Sequence, residues 1–311
     1  MGPLSESGEL FSHRSECELF IDAAREGLMS GVTVPSFDGM CVFGTDSCSV
    51  AGEILSDAAD EMSATPLTCV RDRRIPGWVD SGTVSVIVSY DGGCPEMIGM
   101  IEELRKRGCG ILVLTAGGPI CNALHPSETV LFPAGLEGHE AMGYALGVLS
   151  AVVQASGLFP ARDALSDALD ALEGRVGSIP AEAERVASFI RGNVGAFYST
   201  SDTHACATAF REAMSDAGIL SFSGELPEFD HNELVGWSDP NVHAPELRMV
   251  VLKGRSRSDL VNTIVGCMSE VLRENGRDVL EVDMGSGSTM ERNVYGLLLG
   301  LEVSDFLGVR E

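Results

Sequence analysis

Lysine is almost missing from this chain: of 21 basic residues only Lys106 and Lys253 are lysines, against 46 acidic ones, for a formal charge of −25. Nucleic acid and anionic membranes need clustered cations to displace counterions, so neither is expected as a partner. The acidity fits a salty cytosol or a biased base composition equally well. No apolar run reaches the roughly 18 residues of a membrane helix, and Met1 to Leu10 lacks the basic and apolar regions of a signal peptide. A cytoplasmic location is the expectation. The nine cysteines include no Cys-x-x-Cys pair. Cys41, Cys69 and Cys109 lie in or beside apolar, strand-like runs, so reduced core thiols are expected rather than disulfides. His125, His204 and His243 lack metal-ligand spacing, so no metal is assigned, and no cofactor is expected.

What is present is enough for substantial cores: 311 residues, 44% apolar and 22% charged, point to two compact α/β domains. Helical spacing of Leu10, Phe11, Leu19, Phe20, Ala23 and Leu28 predicts a helix over about 9–31. Strands are read near Met40–Phe43, Thr68–Val70, Val84–Ser89, Ile111–Thr115 and Thr129–Phe132, with helices near Val50–Met62, Glu96–Arg107 and His139–Gln154. After a break at Phe159-Pro160 the rhythm repeats: strands near Ala196–Ser199, Leu247–Leu252 and Val279–Asp283, and helices near Ala164–Leu172, Ala181–Arg191, Ala205–Ala213, Asp259–Glu274 and Met290–Leu299. Strands separated by helices imply parallel sheets with right-handed crossovers. The expectation is two doubly wound parallel-sheet domains, 35–157 and 158–311, preceded by an N-terminal helix in 1–34.

The segment Leu226 to Trp237 (LPEFDHNELVGW) resembles the Pro-Glu-x-x-His-Asn-Glu-hydrophobic-x-Gly signature of the bifunctional phosphoglucose/phosphomannose isomerases of the sugar isomerase (SIS) superfamily. Gly44 to Glu53 (GTDSCSVAGE) resembles that family's G-M-G-G-S-G-x-A-G-D, Val88 to Met97 (VSYDGGCPEM) its V-S-Y-S-G-N-T-E-E, and Arg74 to Val79 also echoes it. The resemblance runs from about Met40 to the C-terminus. It implies a pair of flavodoxin-like SIS domains, a homodimer, and a site between domains and subunits. There a sugar phosphate is ring-opened and isomerised through an enediolate.

The family's phosphate cradle maps onto Ser47 and Cys48 after the first strand and onto Ser89, Asp91 and Cys94 after the third. Asp46 and Asp91 stand where the family has small or hydroxyl residues, and thiols replace two hydroxyls. A carboxylate about 4 Å from a phosphate costs several kcal/mol at intermediate dielectric, and a thiol is a weaker donor than a hydroxyl. The blander reading is that both aspartates cap helices or face solvent. The ring-opening histidine maps onto His231, which outside the motif would read as structural. The family's enediolate base lies sixteen residues earlier, where this chain has Ser215; Glu212 and Asp216 are the carboxylates near enough to be redeployed, or else are solvated helix residues. The family's oxyanion-stabilising arginine maps onto His139, and its C-terminal Thr and Lys find no counterpart. Gly285 to Thr289 reads as a capped turn between strand and helix or as an anion loop.

The resulting expectation is a protein of isomerase ancestry with impaired catalysis, binding a sugar or sugar-phosphate-like molecule as a homodimer or as a heterodimer with a paralogue. The alternative is an active aldose–ketose isomerase with a rewired site on a different sugar. Asp46→Gly combined with Asp91→Ser is expected to raise affinity for a sugar 6-phosphate, because it removes two negative charges from the inferred cradle. Titration calorimetry reads this directly, and unchanged affinity would mean that the aspartates point elsewhere.

Overall fold

The computed structural model describes residues 14–34, 37–44, 47–239, 246–254 and 258–308. The first helix, α1 (Glu16–Leu28), starts where Ser15 and Glu18 cap each other: Glu18 N donates to Ser15 Oγ at 3.2 Å and Ser15 N to Glu18 Oε2 at 3.0 Å. Leu10 and Phe11, expected in the same helix, lie outside the described residues. The first sheet follows, with β1 (Gly39–Phe43), α2 (Val50–Met62), β2 (Leu67–Val70), β3 (Thr83–Val88), α3 (Pro95–Lys106), β4 (Gly110–Thr115), β5 (Thr129–Leu131) and α4 (Gly138–Ser156). Its strands are all parallel in the order β2-β1-β3-β4-β5. β1 and β3 are buried along their whole length, as near-continuous apolar runs must be when helices cover both faces.

Gly157, at φ 82°, ends α4 in the left-handed conformation that glycine adopts without strain. The second set comprises α5 (Ala161–Glu173), α6 (Ile179–Ile190), β6 (Val194–Thr200), α7 (His204–Asp216), β7 (Ser221–Leu226), α8 (Glu228–Asn232), α9 (Leu234–Ser238), β8 (Leu247–Lys253), α10 (Asp259–Glu274), β9 (Val279–Asp283) and α11 (Thr289–Leu307). Its parallel order, β7-β6-β8-β9, repeats the winding of the first. β7 escapes the sequence reading because SFSGEL has no apolar run. It is an edge strand with Phe222 exposed and only Leu226 buried.

The inner faces of both sheets share one apolar core, filled by α4 and α11 and bounded by α1, α2, α5, α6 and α7. The outer faces have smaller separate cores, under α3 in the first half and under α8 to α10 in the second. α1 and α4 pack backbone to backbone: a methyl group on Gly143 would overlap Phe20 O, one on Gly147 would overlap Ala24 O, and one on Gly27 would overlap Tyr144 O.

Gly147→Ala is expected to lower stability by about 1–3 kcal/mol through overpacking, although alanine gains about 1 kcal/mol over glycine in intrinsic helix propensity. Urea unfolding that shows a stabilised variant would contradict the close approach.

Candidate functional site

β1 and β3 aim their carboxyl ends at the same edge of the first sheet, where doubly wound folds bind ligands. After β1 a single turn, Ser47–Ser49, leads straight into α2. Cys48, expected to contact a ligand, is 3% exposed, packs in the shared core and does not line the cleft described below. Asp46 lies outside the described residues.

The loop after β3 is closed on itself. Ser89 is buried and its N–H donates to Leu114 O at 3.0 Å, continuing the sheet. Asp91 Oδ1 accepts from Gly93 N at 2.9 Å, and Ile120 N donates to Gly92 O at 3.0 Å. Gly92 adopts φ 60° against Gly117 O, where a side chain would collide. Cys94 caps α3 and donates its thiol to Glu96 Oε2 at 3.3 Å, while Arg73 meets Glu96 Oε1 at 2.5 Å. Glu96's own backbone N–H, Cys94 and Arg73 hold its carboxyl below the usual carboxylate range. Two carboxylates therefore occupy the start of α3, the position at which a phosphate would find free N–H groups.

A cleft of about 500 Å³ opens beside this edge, walled by Glu16 of α1, Ser47, Glu137 and His139 at the start of α4, Asp216 at the end of α7, and Asp305 of α11. Both halves of the chain contribute to it. Of the residues expected to form a site it gathers Ser47, His139 and Asp216; Cys48, Ser89, Asp91, Cys94, Glu212 and His231 do not line it. Among its described lining residues there is no Lys or Arg. His139 Nδ1 is 3.9 Å from Glu16 Oε2, and its buried Nε2 has no hydrogen-bond partner among the described residues. Glu16, Glu137 and Asp305 carry no motif, and nothing local distinguishes them among 46 acidic residues.

Glu212 sits one helical turn before Asp216 and does not line the cleft. It pairs with Arg71, which also reaches Glu53 Oε2 at 3.5 Å, and Arg211 lies 3.3 Å away. Burial pushes both the Glu53 and the Glu212 carboxyls up, against the pull of Arg71. The described partners of Glu212 are those of this ion network, outside the lining of the cleft.

His231 is exposed in the last turn of α8. Asn232 ends α8, its amide donating to Glu228, and Glu233 stands directly before α9. The rest of the motif is a mount. Phe229 and Trp237 pack with Tyr198, with Tyr198–Phe229 centroids 4.9 Å apart and edge-on, and Tyr198 donates its hydroxyl to Glu233. Arg73 and Arg74 point outward, paired with Glu96 and Asp72. The Gly285–Thr289 segment is a capped turn: Asp283 Oδ1 accepts from Gly285 N at 2.8 Å and Ser288 Oγ from Glu291 N at 3.1 Å. Among the described residues no group of three His, Cys, Asp or Glu is arranged to hold a metal ion, and no helix is long and apolar enough to cross a membrane.

Residues 180–308 match the family model of the bacterial phospho-glucose isomerase C-terminal SIS domain. A bifunctional phosphoglucose/phosphomannose isomerase of Aquifex aeolicus is 24% identical over 275 residues, which span 87% of this chain and 84% of that protein. A D-glucosamine-6-phosphate 4-epimerase of Sulfolobus acidocaldarius is 25% identical over 65% of this chain and 64% of its own length. In fold, the chain is similar to the C-terminal domain of glucosamine-fructose-6-phosphate aminotransferase from Francisella tularensis, with a TM-score of 0.66 at 12% identity over 97% of this chain and 98% of that one.

Arg71→Ala removes the cation shared by Glu53 and Glu212, leaving only Arg211 beside Glu212. The expected stability loss is about 1–3 kcal/mol. Both carboxyls already have folded pKa values raised above their unfolded ones, so the folded state holds the extra protons and the loss should grow as pH rises. Denaturant unfolding at pH 5 and pH 8 measures it; an equal or smaller loss at pH 8 would refute the pairing.

Proposed function

We propose, for a chain that belongs to the SIS-domain family of the bifunctional phosphoglucose/phosphomannose isomerases, that it binds a carbohydrate derivative in the cleft between its halves, with isomerase activity on hexose 6-phosphates absent or strongly impaired. One observation carries the reading: the cleft presents carboxylates and an imidazole but no guanidinium or ammonium among its described lining residues. A phosphate at about 4 Å from one such carboxylate is opposed by roughly 4 kcal/mol per charge pair at an effective dielectric of 20, less at greater distance. The closed loop at Asp91 adds to this, since the N–H of Gly93 already has an anionic partner. Ser215 at the position of the family's base has no acidity suited to moving a carbon-bound proton at neutral pH.

In this proposal the two SIS domains are residues 35–157 and 158–311, with the N-terminal helix in 1–34 packed against the first. His231 then acts by projection from its short helix toward a second subunit, identical or paralogous. Its exposure and the rigid aromatic mount beneath it support that role. The competing reading, an active isomerase rewired for a sugar without phosphate, draws on Asp216 and His139 sharing one cleft.

Coupled assays with fructose, glucose and mannose 6-phosphates are expected to detect no turnover. A kcat within tenfold of the common enzyme value of about 10 s⁻¹ would overturn the proposal. A thermal-shift panel of sugars and sugar phosphates then identifies the ligand class, because specific binding to the folded state must raise Tm.

A further inference from the structure

The sequence of α2 places Glu53, Asp57 and Glu61 at intervals of four, on one face of the helix. That face is turned toward the second half of the chain. Asp57 Oδ2 accepts from Ala205 N, at the start of α7, at 2.9 Å. Glu61 accepts from Thr289 Oγ1 at the start of α11. Glu53 is joined through Arg71 to Glu212 of α7. Three carboxyl groups of one helix thus make the polar crossing between the halves.

We propose that this acidic face of α2 is a pH-sensitive latch, holding the halves together while Asp57 keeps its proton and loosening as that proton is lost. The surroundings of Asp57 give it no cation of its own. On its own helix it faces Glu53 and, at one side, Asp60 and Glu61. From β2 and the turn after it come Cys69 and Arg71, and Arg71 is already committed to Glu53 and Glu212. From α7 and the turn before it come Asp202, His204, Cys206 and Arg211, with His204 3.0 Å from Glu225 and Arg211 beside Glu212. From α11 come Asn293 and Arg292, the latter held by Asp202 at 2.9 Å. Neutral Asp57 keeps one oxygen for Ala205 N and adds no charge beside Glu53. Ionised Asp57 adds a further negative charge on a face that already carries Glu53 and Glu61, and the N-terminal end of α7 offsets only part of it.

Burial, and then Glu53, push the Asp57 carboxyl up to about 8, while Ala205 N and Asn293 oppose them. The folded pKa lies above the ordinary 3.8, so the folded form holds the proton longer than the unfolded chain does. The stabilisation it brings is complete below about pH 4 and is lost progressively until about pH 8. The latch also bears on the cleft, because Ser47 stands directly before α2 and Asp216 closes α7. Parting these helices moves opposite walls of the ligand site.

The test compares the full chain with Asp57→Asn between pH 5 and pH 9, using denaturant unfolding together with hydrogen exchange of the first turns of α7. The wild type is expected to lose stability and α7 protection relative to Asp57→Asn as pH rises, its folding constant falling by up to roughly tenfold per pH unit relative to the variant below pH 8. Parallel pH profiles for the two proteins, or a relative gain for the wild type, would overturn the latch. Asp60→Asn, on the exposed side of the same turn, should keep the wild-type profile; if it abolishes the dependence, Asp57 is the wrong residue. Should Asp57→Asn fail to fold, ¹³C-aspartate labelling of the wild type decides, since a titration between pH 6 and pH 9 supports the proposal and Asp57 ionising below pH 5 refutes it.

Discussion

The direct contact of α1 with α4 is the constraint on which the site depends. The helices run parallel in a fixed register, with Glu16, Phe20 and Ala24 opposite His139, Gly143 and Gly147, each series rising in steps of four. Missing side chains on Gly143 and Gly147 let the backbones touch. The same register carries His139 beside Glu16 at the mouth of the cleft. A bulkier seam would spread the helices and move an imidazole whose sequence position would be unchanged.

Much of the fold was legible because a parallel sheet imposes the simplest pattern: strands buried on both faces read as apolar runs, and the helices between them read as amphipathic. β7 was not legible, since an edge strand with an exposed face gives no such run. The candidate site was legible only in part, for a different reason. Ser47, His139 and Asp216 come together from three distant segments, and their meeting depends on how the halves pack. Glu212 and Asp216 are one turn apart in sequence, yet Arg71 draws the first into an ion network while the helix end leaves the second at the cleft. The placing of Arg71 beyond β2 has no signature that sequence could reveal. Glu16 was invisible as a site residue because it belongs to a helix that precedes the resembling region.

Scarce positive charge is used internally throughout. Arg25 meets Asp170 and Glu173, Arg105 meets Glu128, Arg185 meets Glu182, and Arg273 meets Glu281. Arginine suits this work because its planar fork can serve two carboxylates at once, as Arg25 and Arg71 do. With so few cations against so many acids, each guanidinium committed to holding elements together is one withdrawn from ligand recognition. The acidic cleft and the tightly paired surface are two aspects of the same composition.

The loop from Ser89 to Cys94 has a consequence for how this chain responds to its surroundings. A loop that waits for an external anion is ordered by that anion, so its rigidity follows the anion's concentration. Here Asp91 is covalently attached and always at hand, which makes its effective concentration independent of metabolism. Its order is set by contacts within the chain, Asp91 with Gly93 and Gly92 with Ile120.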